Sequence, residues 1–259
     1  MSAACQQVDM KKQNTTKSLG EKAYLYIRGK ILSGEFSPGT ALSEASLARE
    51  LGNSRGPLRE AVRRLTGEGF LQQTPSGGSV VVDFSRRDVA ELYELREALE
   101  LYAVRKAADQ KLRAEELETL EGLIREILLL RDELEASDES QLNANRMRRF
   151  IRTDLQFHTM LVRAAANSRI LKAVTDTRVL LNIFGIRRKG HDVAQLTQIH
   201  RHHRDILAAI VRHDSQEATR LLGEHIRLSK EERLKEYDER EREAALGEPL
   251  ADLYSVDMS

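Results

Sequence analysis

From Leu19 onward apolar residues recur at helical spacing. Ala23, Tyr24, Ile27, Ile31 and Leu32 form a stripe on one helix, and Gly34 ends it. Ser37-Pro38-Gly39 reads as a turn. A second helix starts with Ser43 as N-cap and runs through Leu47, Ala48 and Leu51 to Gly52. A third begins near Ser54, carries Pro57 in its first turn where proline is tolerated, and ends at Gly67 or Gly69. Phe70–Gln73 and Val80–Val82 are short apolar or β-branched runs joined by a Gly-rich turn over Pro75–Gly78, which predicts a hairpin. Three helices followed by a hairpin is the order of a winged helix-turn-helix.

The pattern then changes. Ser85 with Asp88 three residues on is a capping box that opens a long helix through Ala90, Leu92, Leu95, Leu99 and Ala103. Amphipathic stretches follow at about 114–135, 140–165, 169–187, 193–211 and 215–237, with breaks or caps at Asn167-Ser168 and at Asp214, where Glu217 stands three on. No strand signal interrupts them. The expected fold class is therefore mainly α: an N-terminal winged helix-turn-helix over 19–84, then a C-terminal all-α bundle of six to seven helices over 85–237. The boundary falls at 83–87. Residues 1–18 are polar and aperiodic, and 238–259 are charged then polar; both are expected to be flexible tails.

Composition agrees with a soluble chain of two ordinary domains: 259 residues, 41% hydrophobic and 32% charged. Three of the four prolines precede residue 80. The single cysteine, Cys5, excludes an intramolecular disulfide and a cysteine metal framework. Neither a signal peptide nor a membrane span is visible, so a cytoplasmic location with no membrane partner is expected. The net charge is zero, but it is unevenly spread: residues 1–83 hold eleven Lys or Arg against eight Asp or Glu, and the remainder holds 30 against 33.

The basic excess surrounds Leu51-Gly52-Asn53-Ser54-Arg55-Gly56-Pro57-Leu58-Arg59-Glu60-Ala61-Val62-Arg63-Arg64-Leu65. Arg55, Arg59 and Arg63 are four apart and share one helix face; Leu58, Val62 and Leu65 line the other. An arginine fork suits guanine edges in the major groove and also phosphates. Ser54 and the free N–H groups at the helix start can take a phosphate. A solvated basic face would show the same stripe. The neighbouring motifs decide. Pro38-Gly39-Thr40-Ala41-Leu42-Ser43-Glu44, Leu47-Ala48-Arg49-Glu50-Leu51-Gly52, Ser54 through Ala61, Leu65 and Glu68-Gly69-Phe70-Leu71 together resemble the N-terminal domain of GntR-type regulators over about residues 20–83. The resemblance implies a recognition helix from Ser54, with Arg55 and Arg59 as main DNA contacts and a wing at Gly77 and Gly78 in the minor groove. Gly56, Ala45 and Gly77 depart from the family pattern, each losing a contact, so weaker non-specific affinity is expected.

Four of the seven histidines lie within residues 200–213. Asp154 and His158 are four apart on one helix face, a spacing that can chelate a divalent ion or form a plain ion pair. His203 and His225 lie on consecutive stretches joined at His213-Asp214. If those helices are antiparallel, ten residues lead away from His203 and about eleven return, so the two can meet. That would close a one-Asp, three-His site. His200 and His202 read as exposed, His200 being a spare one turn from His203. Tyr93 through Glu100, Asp154 through His158, Asn167, His203 through Ile210 and His225 resemble the FCD ligand-binding domain of the FadR subgroup, over 85–230. This implies a metal on Asp154, His158, His203 and His225, zinc or nickel, with manganese a third option. It also implies a small organic or sugar acid as effector, with Arg96 towards it. Arg96 can equally pair with Glu100, four residues on.

The expected function is a DNA-binding transcription repressor, not an enzyme, released by a carboxylate effector. It should act as a homodimer on a palindromic double-stranded operator, joined through apolar faces within 85–135. Two other readings are a sensor for the ion itself and a metal-dependent hydrolase. Against the hydrolase, the only nearby candidate base is Glu224, which helical geometry points away from the ligands.

Overall fold

The computed structural model describes residues 18–52, 54–75, 77–184 and 190–253. The expected disordered tail over 1–18 therefore lies, but for Ser18, outside the described residues, as does the end of the chain from 254. The chain divides into two compact units, residues 1–82 and 83–259.

The first unit comprises α1 (Leu19–Leu32), β1 (Ala41–Leu42), α2 (Glu44–Glu50), α3 (Arg55–Gly67), β2 (Leu71–Gln73) and β3 (Ser79–Val81). The caps follow from side-chain chemistry: Ser18 accepts from the Glu21 amide and Ser43 from the Ser46 amide. The bend between α2 and α3 passes through Gly52 at φ +60°, a conformation glycine adopts without steric cost. Leu58, Ala61, Val62 and Leu65 of α3 are buried, and α3 packs on α1, whose Ala23, Ile27 and Ile31 are fully buried. The sheet has three antiparallel strands in the order β1-β3-β2, pairing Leu71 with Val81, Gln73 with Ser79 and Leu42 with Ser79. Sequence pattern predicts only the β2–β3 hairpin; β1 is two residues long, too short for alternation to register.

The second unit holds six helices among the described residues: α4 (Arg86–Asp109), α5 (Ala114–Glu135), α6 (Ala144–Ala164), α7 (Ser168–Phe184), α8 (Val193–Val211) and α9 (Ser215–Leu253). The Ser85/Asp88 capping box forms, and Asp214 accepts from the Glu217 amide. Helix α4 packs against α6, α7, α8 and α9, while α5 closes the far side on α6 and α8. Apolar clusters flank the centre: Ala103, Val162, Ala165 and Val174 on one side, Leu130, Leu134, Met147, Phe150 and Leu196 on the other. The last helix departs from expectation. It runs to Leu253, through most of the segment 238–259 read as a flexible tail. That stretch is mostly charged at its start and rich in Glu, Arg and Ala, which favour helix intrinsically.

Candidate metal centre and nucleic-acid interface

Helix α3 begins at Ser54, whose extended backbone makes it the N-cap, but its side chain caps no amide. The first-turn N–H groups are thus left to solvent or a ligand. Arg55, Arg59 and Arg63 are all exposed, with Leu58, Val62 and Leu65 beneath them. Arg59 is 65% exposed and sits 3.5 Å from Glu44, a weak pair that a phosphate or base can displace. Arg64 differs: it binds Glu21 at 2.8 Å and Glu68 at 3.0 Å and lies 3.6 Å over the Tyr24 ring. It is an internal strut of the unit. At the wing, Gly77 has φ +82° and Gly78 is exposed beside it. A Cβ at Gly56 or Gly77 would meet nothing within 4 Å, so space does not demand glycine at either; at Gly77 the backbone conformation does.

In the helical unit, Asp154 and His158 of α6, His203 of α8 and His225 of α9 come together, one donor atom from each lying within 4.8 Å of the others. Four of the six separations are shorter still. His203 Nε2 lies 3.3 Å from His225 Nε2, which lies 3.3 Å from His158 Nε2. Asp154 Oδ1 is 3.5 Å from His203 Nε2 and 3.6 Å from His158 Nε2. A tetrahedron with ligands about 2.0–2.1 Å from its centre has edges of about 3.3–3.4 Å. His225 Nε2 lies 3.3 Å from two other imidazole nitrogens and has one proton or one lone pair to share between them, so the donor set fits a cation. The α8–α9 turn makes this possible. His213 takes a left-handed conformation at φ +58°, and its Nδ1 lies 2.8 Å from the Ala108 carbonyl, fixing where the chain reverses.

Around the donors lies a shell of buried charge that sequence reasoning only touched. Glu100, 1% exposed, accepts from Arg96 Nε at 2.6 Å and from Arg178 at 3.2 Å. Its other oxygen is 2.7 Å from His158 Nδ1. With Nδ1 donating there, the His158 Nε2 lone pair turns to the cluster. Arg178 of α7 donates to Asp154 Oδ2 at 2.6 Å, so the two carboxylate oxygens are divided: Oδ2 to the arginine, Oδ1 to the histidines. Burial alone would raise the Asp154 carboxyl, but Arg178 and the histidines hold it well below the usual range. Glu100 is likewise lowered, by Arg96, His158 and Arg178 against the pull of burial. Burial pushes His203 and His225 well below the usual histidine value, which keeps their lone pairs available.

Arg96 makes the Glu100 pair, and its Nη2 also lies 3.2 Å from His158 Nε2. His202 is half-buried, not exposed as expected, and its Nδ1 is 3.4 Å from His225 Nδ1. His200 is also half-buried and stands outside the donor set. Glu224 pairs with Arg220 at 2.6 Å, away from the donors. A cavity of about 40 Å³ adjoins the cluster, lined by Tyr93, Arg96, Asp154, Arg178 and His225 among others.

Comparison with known proteins adds the following. Residues 19–81 match the family described as bacterial regulatory proteins, gntR family, and residues 91–228 match the FCD domain. The Nta operon transcriptional regulator of Aminobacter aminovorans is 40% identical over 144 residues, 55% of this chain and 62% of that protein. The gluconate operon transcriptional repressor of Bacillus subtilis is 28% identical over 190 residues, covering 71% of this chain and 73% of the relative. Among solved structures, Escherichia coli McbR/YncC superposes with a TM-score of 0.67 at 21% identity, over 85% of this chain and 99% of that one. No described helix is long and apolar enough to cross a membrane.

Proposed function

The chain belongs to the GntR family of bacterial regulatory proteins, as a DNA-binding transcriptional regulator with an FCD domain, and from that premise we propose that it is a repressor released by a small carboxylate bound beside a divalent ion. The observation that carries the proposal is the convergence of Asp154, His158, His203 and His225, whose donor atoms all lie within 4.8 Å of one another. Zinc suits three nitrogens and one oxygen, with nickel or manganese as alternatives. When bound, the ion would act as an electrophile that can take a carboxylate oxygen by expanding from four to five ligands. The chain's own residues do the rest. Arg178 turns Asp154 so that Oδ1 faces the histidines, Glu100 holds His158, and Arg96 offers a fork to the acid. The relative named as a gluconate operon repressor supports repression by this chain. The test is metal analysis of the purified protein with gel shifts on its operator, with and without candidate acids; protein that carries no stoichiometric metal would end the proposal.

On the DNA side, Ser54, Arg55, Gly56, Arg59 and Arg63 form the reading face, and the wing at Gly77 and Gly78 follows the adjacent minor groove. Arg59→Ala is expected to weaken operator binding by about 1–3 kcal/mol and to blunt discrimination at one base pair. Loss spread evenly over all sequences would instead make Arg59 a phosphate contact. Competition binding against single-base operator variants separates the two.

A dimer on a palindrome is the arrangement that lets one short helix achieve useful specificity. Leu95, Ala98 and Tyr102 share one exposed side of α4, with Leu95 46% and Tyr102 54% exposed, and supply an apolar patch for the partner. Glutamate at both Leu95 and Tyr102 should convert the protein to a monomer in sedimentation velocity and weaken operator binding. A variant that still sediments as a dimer would place the interface elsewhere, and a monomeric wild type would remove it altogether.

A further inference from the structure

The three imidazoles of the cluster are held by three different devices. His158 has its Nδ1 2.7 Å from the Glu100 carboxylate. His203 is stacked on Phe157 with ring centroids 4.0 Å apart, and among the described residues its Nδ1 has no hydrogen-bond partner. His225 meets a third kind of neighbour. Its Nε2 faces His158 and His203 at 3.3 Å, while its Nδ1 lies 3.4 Å from His202 Nδ1. The His202 and His225 rings stand at 88° with centroids 5.6 Å apart. No other described residue comes within hydrogen-bond distance of His225 Nδ1. His202 and His203 are adjacent on α8, and each reaches a different nitrogen of the same ring. A neutral imidazole carries one N–H and one lone pair. If His225 Nε2 gives its lone pair to an ion, the proton must sit on Nδ1, and that N–H needs an acceptor. His225 is 3% exposed, which makes bulk water a poor substitute.

Resting on the metal reading above, we propose that His202 is a positioning residue for the ion. Its Nδ1 lone pair accepts from His225 Nδ1–H, which fixes the tautomer and the ring orientation that aim His225 Nε2 at the donor cluster. His202 itself takes no place in the donor set. It does for His225 what Glu100 does for His158, with a neutral acceptor in place of a carboxylate. Its own proton then sits on Nε2.

The experiment uses the full chain at mildly alkaline pH, where imidazole is neutral. Zinc affinity is measured by competition with a chelator. His202→Leu removes the acceptor at similar volume and should weaken zinc binding by about 10–100-fold, the range for loss of an outer-shell partner. His202→Asn places a carbonyl oxygen where Nδ1 stood and should recover most of that loss. Nitrogen-15 spectra of histidine-labelled, zinc-loaded wild type read the tautomers directly. His225 should carry its proton on Nδ1, and His202 should carry its proton on Nε2 and none on Nδ1. A protonated His202 Nδ1, or zinc affinity unchanged in His202→Leu, overturns the positioning role while leaving the metal site intact. Equal losses in the Leu and Asn variants also overturn it, because packing and not the hydrogen bond would then hold His225. If His202→Leu fails to fold, the wild-type tautomers decide alone. Wild type that binds no zinc overturns this inference together with the metal reading beneath it.

Discussion

Replacing Glu100 by alanine should destabilise the helical unit by about 3–5 kcal/mol, the cost of breaking a buried ion network by removing one partner. The carboxylate is 1% exposed and takes three contacts: Arg96 at 2.6 Å, His158 Nδ1 at 2.7 Å and Arg178 at 3.2 Å. Without it two guanidinium groups remain in the interior with only Asp154 between them, and His158 loses the acceptor that fixes its tautomer. Glu100→Gln keeps the volume and one acceptor oxygen and should cost less. Because the chain has two units, a single unfolding midpoint is a poor measure. Hydrogen exchange of α4 and α6 peptides in the metal-free full chain reads the opening of this unit directly. Protection that falls by less than about 1 kcal/mol would mean that water, not Glu100, satisfies the two arginines.

What could be read in the sequence follows from how local each signal is. Ser85 and Asp88, Asp214 and Glu217, and Asp154 and His158 lie three or four residues apart, where helical geometry alone places them. His203 and His225 needed one further assumption, an antiparallel turn at His213-Asp214, and the chain reverses there. Glu100 was visible only as a partner for Arg96, and its role as a hub was not, because His158 and Arg178 lie 58 and 78 residues away. Arg178 carried no signal at all: one arginine in an amphipathic helix resembles every other until α7 is docked on α4. The same limit hid the contact of His202 with His225, since the exposure of a half-turn neighbour depends on which helix packs beside it. Arg63 and Arg64 are adjacent in sequence, yet Arg63 is exposed while Arg64 is tied to Glu21 and Glu68, and only the fold of α1 against α3 tells them apart. Strand β1 and the extension of α9 failed for the converse reason. One is too short for periodicity, and the other opens on a run of charged residues whose helix propensity a hydrophobic pattern does not register.

His203→Ala separates the sensing step from DNA binding. Removing this ligand leaves Asp154, His158 and His225, and metal affinity should fall by more than the roughly 10–100-fold typical of losing an outer-shell partner. The substitution also deletes a ring stacked on Phe157 at 4.0 Å, so a packing loss is expected whether or not metal is present. Measuring wild type and variant in both chelator and zinc isolates the two effects. Wild type should gain about 2.7 kcal/mol when zinc reaches a hundredfold excess over its dissociation constant, and the variant should gain far less at the same concentration. The operator should still be bound, because Arg55, Arg59 and Arg63 belong to the other compact unit. Release by the acid should disappear. An effector shifts a protein between two arrangements only by the difference in its affinity for them, and without the ion the acid keeps only the arginines. A gel shift with and without acid, on wild type and His203→Ala, reads this. If the variant releases DNA at the same acid concentration as wild type, the histidine cluster is structural and the effector acts somewhere else.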